Sequence, residues 1–171
     1  MLAVPELQVD LPGGGHPSQN DLWGLLRTGD GLISLSVEAK SGEPLDSLFG
    51  EWLSDATRMS GKPARLQFLR ECLSLDAMDV SQLRYQLLHR TASALVLGER
   101  FQAKTAVLLI HSFGGHADDK SREAYRRFAE AMECSPAFES LVGVGRTTRL
   151  PLLIGWLTDT TASAEAIARV I

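Results

Sequence analysis

The stretch DLWGLLRTGDGLISLSVEAK, Asp21 to Lys40, constrains the fold of this chain more than any other. Its second half alternates without a break, with Ile33, Leu35, Val37 and Ala39 on one parity and Ser34, Ser36, Glu38 and Lys40 on the other. A period of two belongs to a β-strand, where successive side chains point to opposite faces. Asp21 to Arg27 precedes it, and the TGDG between them holds the residues that adopt positive φ cheaply in tight turns. The pattern predicts a hairpin of Asp21–Arg27 and Leu32–Lys40. A Gly29-Asp30 loop sets Asp21 opposite Glu38, and an Asp30-Gly31 loop sets it opposite Lys40. Parity is preserved either way, so Asp21, Glu38 and Lys40 share one face of the ribbon. Leu22 and Leu26 join Ile33, Leu35 and Val37 on the other.

Two carboxylates directly opposed on neighbouring strands lie about 5 Å apart at Cβ and repel. A hard divalent cation reverses the sign, because Mg²⁺ takes one or two carboxylates and completes its shell with waters and phosphate oxygens. Lys40, on the same face, could then orient or help activate a water, or stabilise charge on a phosphate. A surface ion pair of Lys40 with both acids, worth ~0–1 kcal/mol and catalysing nothing, accounts for the same spacing.

The rest of the chain reads as one domain without repeat or linker. Residues 1–17, with LPGGGHP, read as an irregular lead-in containing at most a short strand near Glu6 to Leu11. Leu45, Leu48, Phe49, Trp52 and Leu53 follow helical spacing, and Pro63 suits the first turn of a second helix through Leu66, Leu69 and Leu73. A longer helix is predicted from about Val80 to Leu97, and AKTAVLLIHSF reads as a short buried strand. A surface helix over DDKSREAYRRFAEAM, a strand in LPLLIGWLTD and a terminal helix in SAEAIARVI complete the pattern. The class is α/β, a layered domain with a central mixed sheet flanked by helices.

The long helix carries a polar stripe of Gln82, Gln86, His89 and Ser93, with Arg90 beside it. Gln86, His89 and Arg90 could contact phosphate or water near a metal, or satisfy buried backbone groups. Trp23, Trp52 and Trp156 lie in apolar patterns and read as core. Arg122, Arg126 and Arg127 form either a solvated face or a phosphate-tracking patch. The histidines and cysteines lack zinc-ligand spacing, and no nucleophile elbow is present. GGG at Gly13 to Gly15 lacks the lysine of a phosphate-binding loop. Cys72 and Cys134 are far apart and read as free thiols in a reducing cytoplasm. No apolar run reaches the ~20 residues of a membrane span. The net charge of −4 argues mildly against non-specific nucleic-acid binding.

Asp21, the tight hairpin and VEAK together resemble the core of the PD-(D/E)XK nuclease superfamily. With GEWL, LRYQLLHRTASAL, HSF and IGWL, the chain from about Leu11 to Thr158 is similar to a bacterial family of uncharacterised nuclease-like domains assigned to that superfamily. The resemblance implies a restriction-endonuclease-like sheet, dependence on Mg²⁺ or Mn²⁺ and hydrolysis of phosphodiesters in nucleic acid, DNA ahead of RNA. By the same resemblance Asp21 and Glu38 are metal ligands, Lys40 is the catalytic lysine and Gln86 an auxiliary residue behind the metal. Folds of this size often dimerise, which makes a homodimer an expectation too. Asn20 stands where the superfamily often has proline. The helix that usually precedes the hairpin, often with another acid, has no counterpart before Asp21; Glu51 could supply that acid instead. The alternative is a catalytically inactive nuclease-fold interaction domain.

Overall fold

The computed structural model describes residues 1–13, 15–57, 60–113, 119–146 and 148–159. Strand β2 (Ser18–Thr28) and strand β3 (Gly31–Lys40) form the expected hairpin. Thr28 pairs with Gly31, so the loop is Gly29-Asp30, and the register runs from there to Leu22 opposite Val37. The positive φ falls on Gly31, at 138°, rather than within the loop. A Cβ on Gly31 would lie 2.7 Å from the Lys104 side chain, which adds a packing reason for glycine there.

The first residues are not an irregular lead-in. Leu2–Val9 is a strand, β1, antiparallel to β2 and at the edge of the sheet. Its Val4, Leu7 and Val9 pack on or into the core, which is enough to hold an edge strand despite Pro5. Strand β4 (Thr105–Phe113) runs parallel to β3, and strand β6 (Leu152–Asp159) runs parallel to β4. A three-residue strand, β5 (Leu141–Gly143), closes the far edge antiparallel to β6. The six-stranded mixed sheet has the order β1-β2-β3-β4-β6-β5.

Helix α3 (Tyr85–Arg100) lies across the middle of this sheet, touching β2, β3 and β4. It begins later than the Val80 start predicted from periodicity. Asp79 turns the chain by accepting from the Ser81 backbone and hydroxyl, and Leu83 N–H bonds to Val80, so 80–84 is a turn rather than a helix. The segment 47–50 pairs with that turn through Phe49 N–H to Leu83 O, Gly50 N–H to Ser81 O and Tyr85 N–H to Ser47 O. Those bonds keep Leu45 to Leu48 out of helix and reduce α1 to Phe49–Leu53. Helix α2 (Lys62–Leu73) has Pro63 in its first turn and Ser74 in the left-handed conformation at its end. Helix α4 (Asp119–Ala131) buries Tyr125, Phe128 and Ala129, and the Tyr125 ring lies 5.7 Å from that of Trp156. The predicted terminal helix lies outside the described residues. No helix of the described chain is long and apolar enough to cross a membrane.

The hairpin's polar parity is its buried side. Ser34, Ser36, Glu38 and Lys40 are buried beneath α3, while Ile33, Leu35 and Val37 are only half-buried. Glu38 and Lys40 stand beside Ile110 and Ser112 of β4 in the parallel register. The acid–lysine pair is thereby an interior pair at the carboxyl end of β3, not a surface one.

Candidate functional site at the carboxyl end of β3

Pairing between β2 and β3 stops at Leu22 and Val37. Continuing that register by one residue sets Asp21 opposite Glu38, as the Gly29-Asp30 loop requires. The Asp21 carboxylate there accepts the Ala39 N–H at 2.7 Å. Ala39 is the residue between Glu38 and Lys40, so an acid of β2 is fastened to the Glu-Ala-Lys segment of β3.

β2 also changes phase just before this point. Ser18 and Asn20 reach α3, through His89 and Ser93, yet Trp23 is on the same side, bonded to Ser34. Residues 18, 20 and 23 cannot share a face in a regular strand. The neighbouring strand carries a matching irregularity, since Glu6 has a φ of 53° and the Glu6–Asp21 pair is missing from an otherwise continuous register. The distortion releases the end of β2 to meet the polar stripe of α3.

That stripe closes over Glu38. Gln86 Nε2 donates to Glu38 Oε1 at 2.5 Å, and Lys40 Nζ lies 3.0 Å from the same oxygen. Arg90 Nε donates to Oε2 at 2.5 Å. The Glu38 side chain is 4% exposed, Lys40 9% and Arg90 11%. Both cations are therefore shielded from water, and the usual surface discount on ion pairs does not apply. Arg90 Nη1 also donates to Ser18 Oγ, which is 2.9 Å from His89 Nδ1. Burial first, then the Arg90 and Arg65 charges, hold the His89 ring well below the ordinary histidine pKa. A neutral His89 accepting the Ser18 hydroxyl at Nδ1 carries its proton on Nε2.

The structure thus joins Glu38, Lys40, Gln86 and Arg90, with His89 linked through Ser18, while Asp21 meets this group through the backbone N–H of Ala39. Glu51 stays apart, exposed and accepting the Leu48 N–H at the start of α1. Gln82 precedes the helix and bonds to Ser81. Among the described residues no group of three or more His, Cys, Asp or Glu is placed to hold a metal. The acids at hand are two. Sequence reasoning missed Ser18 and Asn20, because alternation along β2 assigns one phase to the whole strand. It also missed Arg65, which shares the buried face of α2 with Leu69 and Cys72 at i, i+4 and i+7; a charge at such a position was the available signal.

No curated protein and no solved structure matches the chain. A family model described as a domain of unknown function, DUF6946, matches residues 1–161, and the chain belongs to that family.

Proposed function

We propose that this chain is a metal-dependent phosphodiester hydrolase of the PD-(D/E)XK nuclease type, acting on nucleic acid, DNA ahead of RNA. The observation that supports the reading is the Asp21 carboxylate accepting the N–H of Ala39, the residue between Glu38 and Lys40. The position supports it as well, because open α/β sheets bind ligands outside the carboxyl ends of their parallel strands.

The donor set fits Mg²⁺ or Mn²⁺. Hard cations take oxygen ligands. The second oxygen of Asp21 has no hydrogen-bond partner among the described residues, and Glu38 has three donors on about four lone-pair sites. Asp21 and Glu38 would hold the ion, which supplies Lewis acidity and lowers the pKa of water. Among the described residues Lys40 has two N–H groups beyond its contact with Glu38, enough to hold an attacking water or a phosphate oxygen. Among the described residues the Nη2 donors of Arg90 have no partner and would serve a non-bridging oxygen, matching charge that grows during displacement. Gln86 orients Glu38, and Ser18 with His89 orients Arg90; these are positioning residues.

One observation favours the second reading, a nuclease-fold interaction domain without activity. Asp21, Glu38, Lys40 and Arg90 sum to zero charge, and the buried carboxylate is already compensated. Nicking of supercoiled DNA separates the two. The hydrolase reading expects cleavage that requires Mg²⁺ or Mn²⁺ and falls at least a hundredfold in Lys40→Ala. Absence of cleavage by the folded wild-type chain, or equal cleavage by Lys40→Ala, favours the interaction domain.

A further inference from the structure

Where α1, α2 and the first turns of α3 meet the segment before β2 lies a cavity of about 260 Å³ lined by His16, Trp52, Lys62, Arg65, Tyr85 and His89. None of the described residues lining it is acidic. Arg65 is 2% exposed, and no carboxylate of the described chain lies within ion-pair distance of it. Its Nε donates to Pro12 O, Nη2 to Leu11 O and more weakly to His16 O, and Nη1 to the Tyr85 hydroxyl. One Nη1 hydrogen is left over. A buried guanidinium held only by carbonyl and hydroxyl dipoles is an uncompensated charge, which proteins rarely tolerate without a partner.

The other groups on the wall point to the same chemistry. Lys62 Nζ donates to Trp52 O at 2.5 Å and to Asp55, which leaves the ammonium one N–H. The Tyr85 hydroxyl accepts from Arg65, so its own hydrogen remains to be donated. His89 is 9% exposed and uses Nδ1 on Ser18; Nε2 has no partner among the described residues. Aromatic rings fill the remaining wall, but they are already stacked on each other: Trp52 and Tyr85 lie 4.2 Å apart at 11°, with Lys62 4.9 Å from the Trp52 ring and His89 4.6 Å from Tyr85. The cavity presents spare donors and the uncompensated charge of Arg65, Lys62 being paired with Asp55 at the rim, in a volume too small for a large ligand.

We infer that this cavity binds a phosphoryl group, with Arg65, Lys62, Tyr85 and the Nε2–H of His89 as its donors. It shares no residue with the acid pair except through His89, and its occupancy does not depend on the hydrolase reading. The group could belong to free phosphate or to the phosphorylated end of a nucleic-acid strand, and one experiment covers both.

Calorimetric titration of the full metal-free chain uses inorganic phosphate, a 5′-phosphorylated oligonucleotide and the same oligonucleotide without phosphate. One saturable site for a phosphate-bearing probe is expected. Binding should weaken about tenfold or more in Lys62→Glu and in Arg65→Lys, each checked for folding by circular dichroism, and persist in Lys40→Ala. Tighter binding of the phosphorylated strand assigns the site to strand ends, and equal or tighter binding of inorganic phosphate assigns it to the free anion. The inference is overturned if neither phosphate probe saturates, if binding survives unchanged in folded Lys62→Glu and Arg65→Lys, or if it is lost in Lys40→Ala that circular dichroism shows to be folded.

Discussion

Replacing Glu38 by glutamine tests the buried charge network without removing volume. Glutamine is nearly isosteric, but it leaves Lys40 and Arg90 as two shielded cations without the carboxylate between them. Breaking a buried pair from one side costs about 3–5 kcal/mol, because the surviving charge stays in a poorly solvated place. For a chain of this size each kcal/mol moves the melting temperature by about 2–4 °C, so Glu38→Gln should melt about 6–20 °C below wild type. Thermal melts followed by circular dichroism in metal-free buffer measure it. Arg90→Met in the same background should restore part of the loss, with a coupling of about 1–3 kcal/mol between the two positions. A Glu38→Gln loss under about 1 kcal/mol, or additive effects in the pair, would refute the buried network.

Two further predictions concern the same layer. His89, facing Arg90, Arg65, Ser18 and Tyr85, has its folded pKa below the unfolded value, so the native state binds fewer protons and stability is lost as pH falls below about 6.5. The slope approaches about 1.4 kcal/mol per pH unit, and denaturant titrations should show it reduced in His89→Gln; an unchanged slope contradicts the buried neutral ring. Ser36 is fully buried and its hydroxyl has no partner among the described residues, so Ser36→Ala should be neutral or stabilising by about 1 kcal/mol. A loss above 1 kcal/mol in the same titration would show that the hydroxyl is satisfied in solution.

The hairpin was legible because alternation and turn chemistry are local signals, and they narrowed the register to two, of which the structure has the Gly29-Asp30 loop. The stripe of Gln86, His89 and Arg90 was legible from helical spacing for the same reason. Which face of β3 lies under α3 was not, since strand periodicity separates two faces without saying which one a helix covers. The polar face was covered because Glu38 and Ser18 find their partners on α3, a choice made between elements about fifty to seventy residues apart in sequence. The edge strands escaped in turn. β1 contains Pro5 and the left-handed Glu6, and β5 is three residues long, so neither carries a usable period. α1 kept its helical spacing in sequence but lost its first turn to backbone pairing with residues 81–85.

The account rests on two acids holding one divalent ion at the end of β3. Titration of the wild-type chain and of Asp21→Asn with Mn²⁺, followed by electron paramagnetic resonance of the free ion, addresses that directly. The account predicts one saturable site in the wild type, weakened at least tenfold in Asp21→Asn. No saturable site, or the same affinity in both proteins, would contradict it.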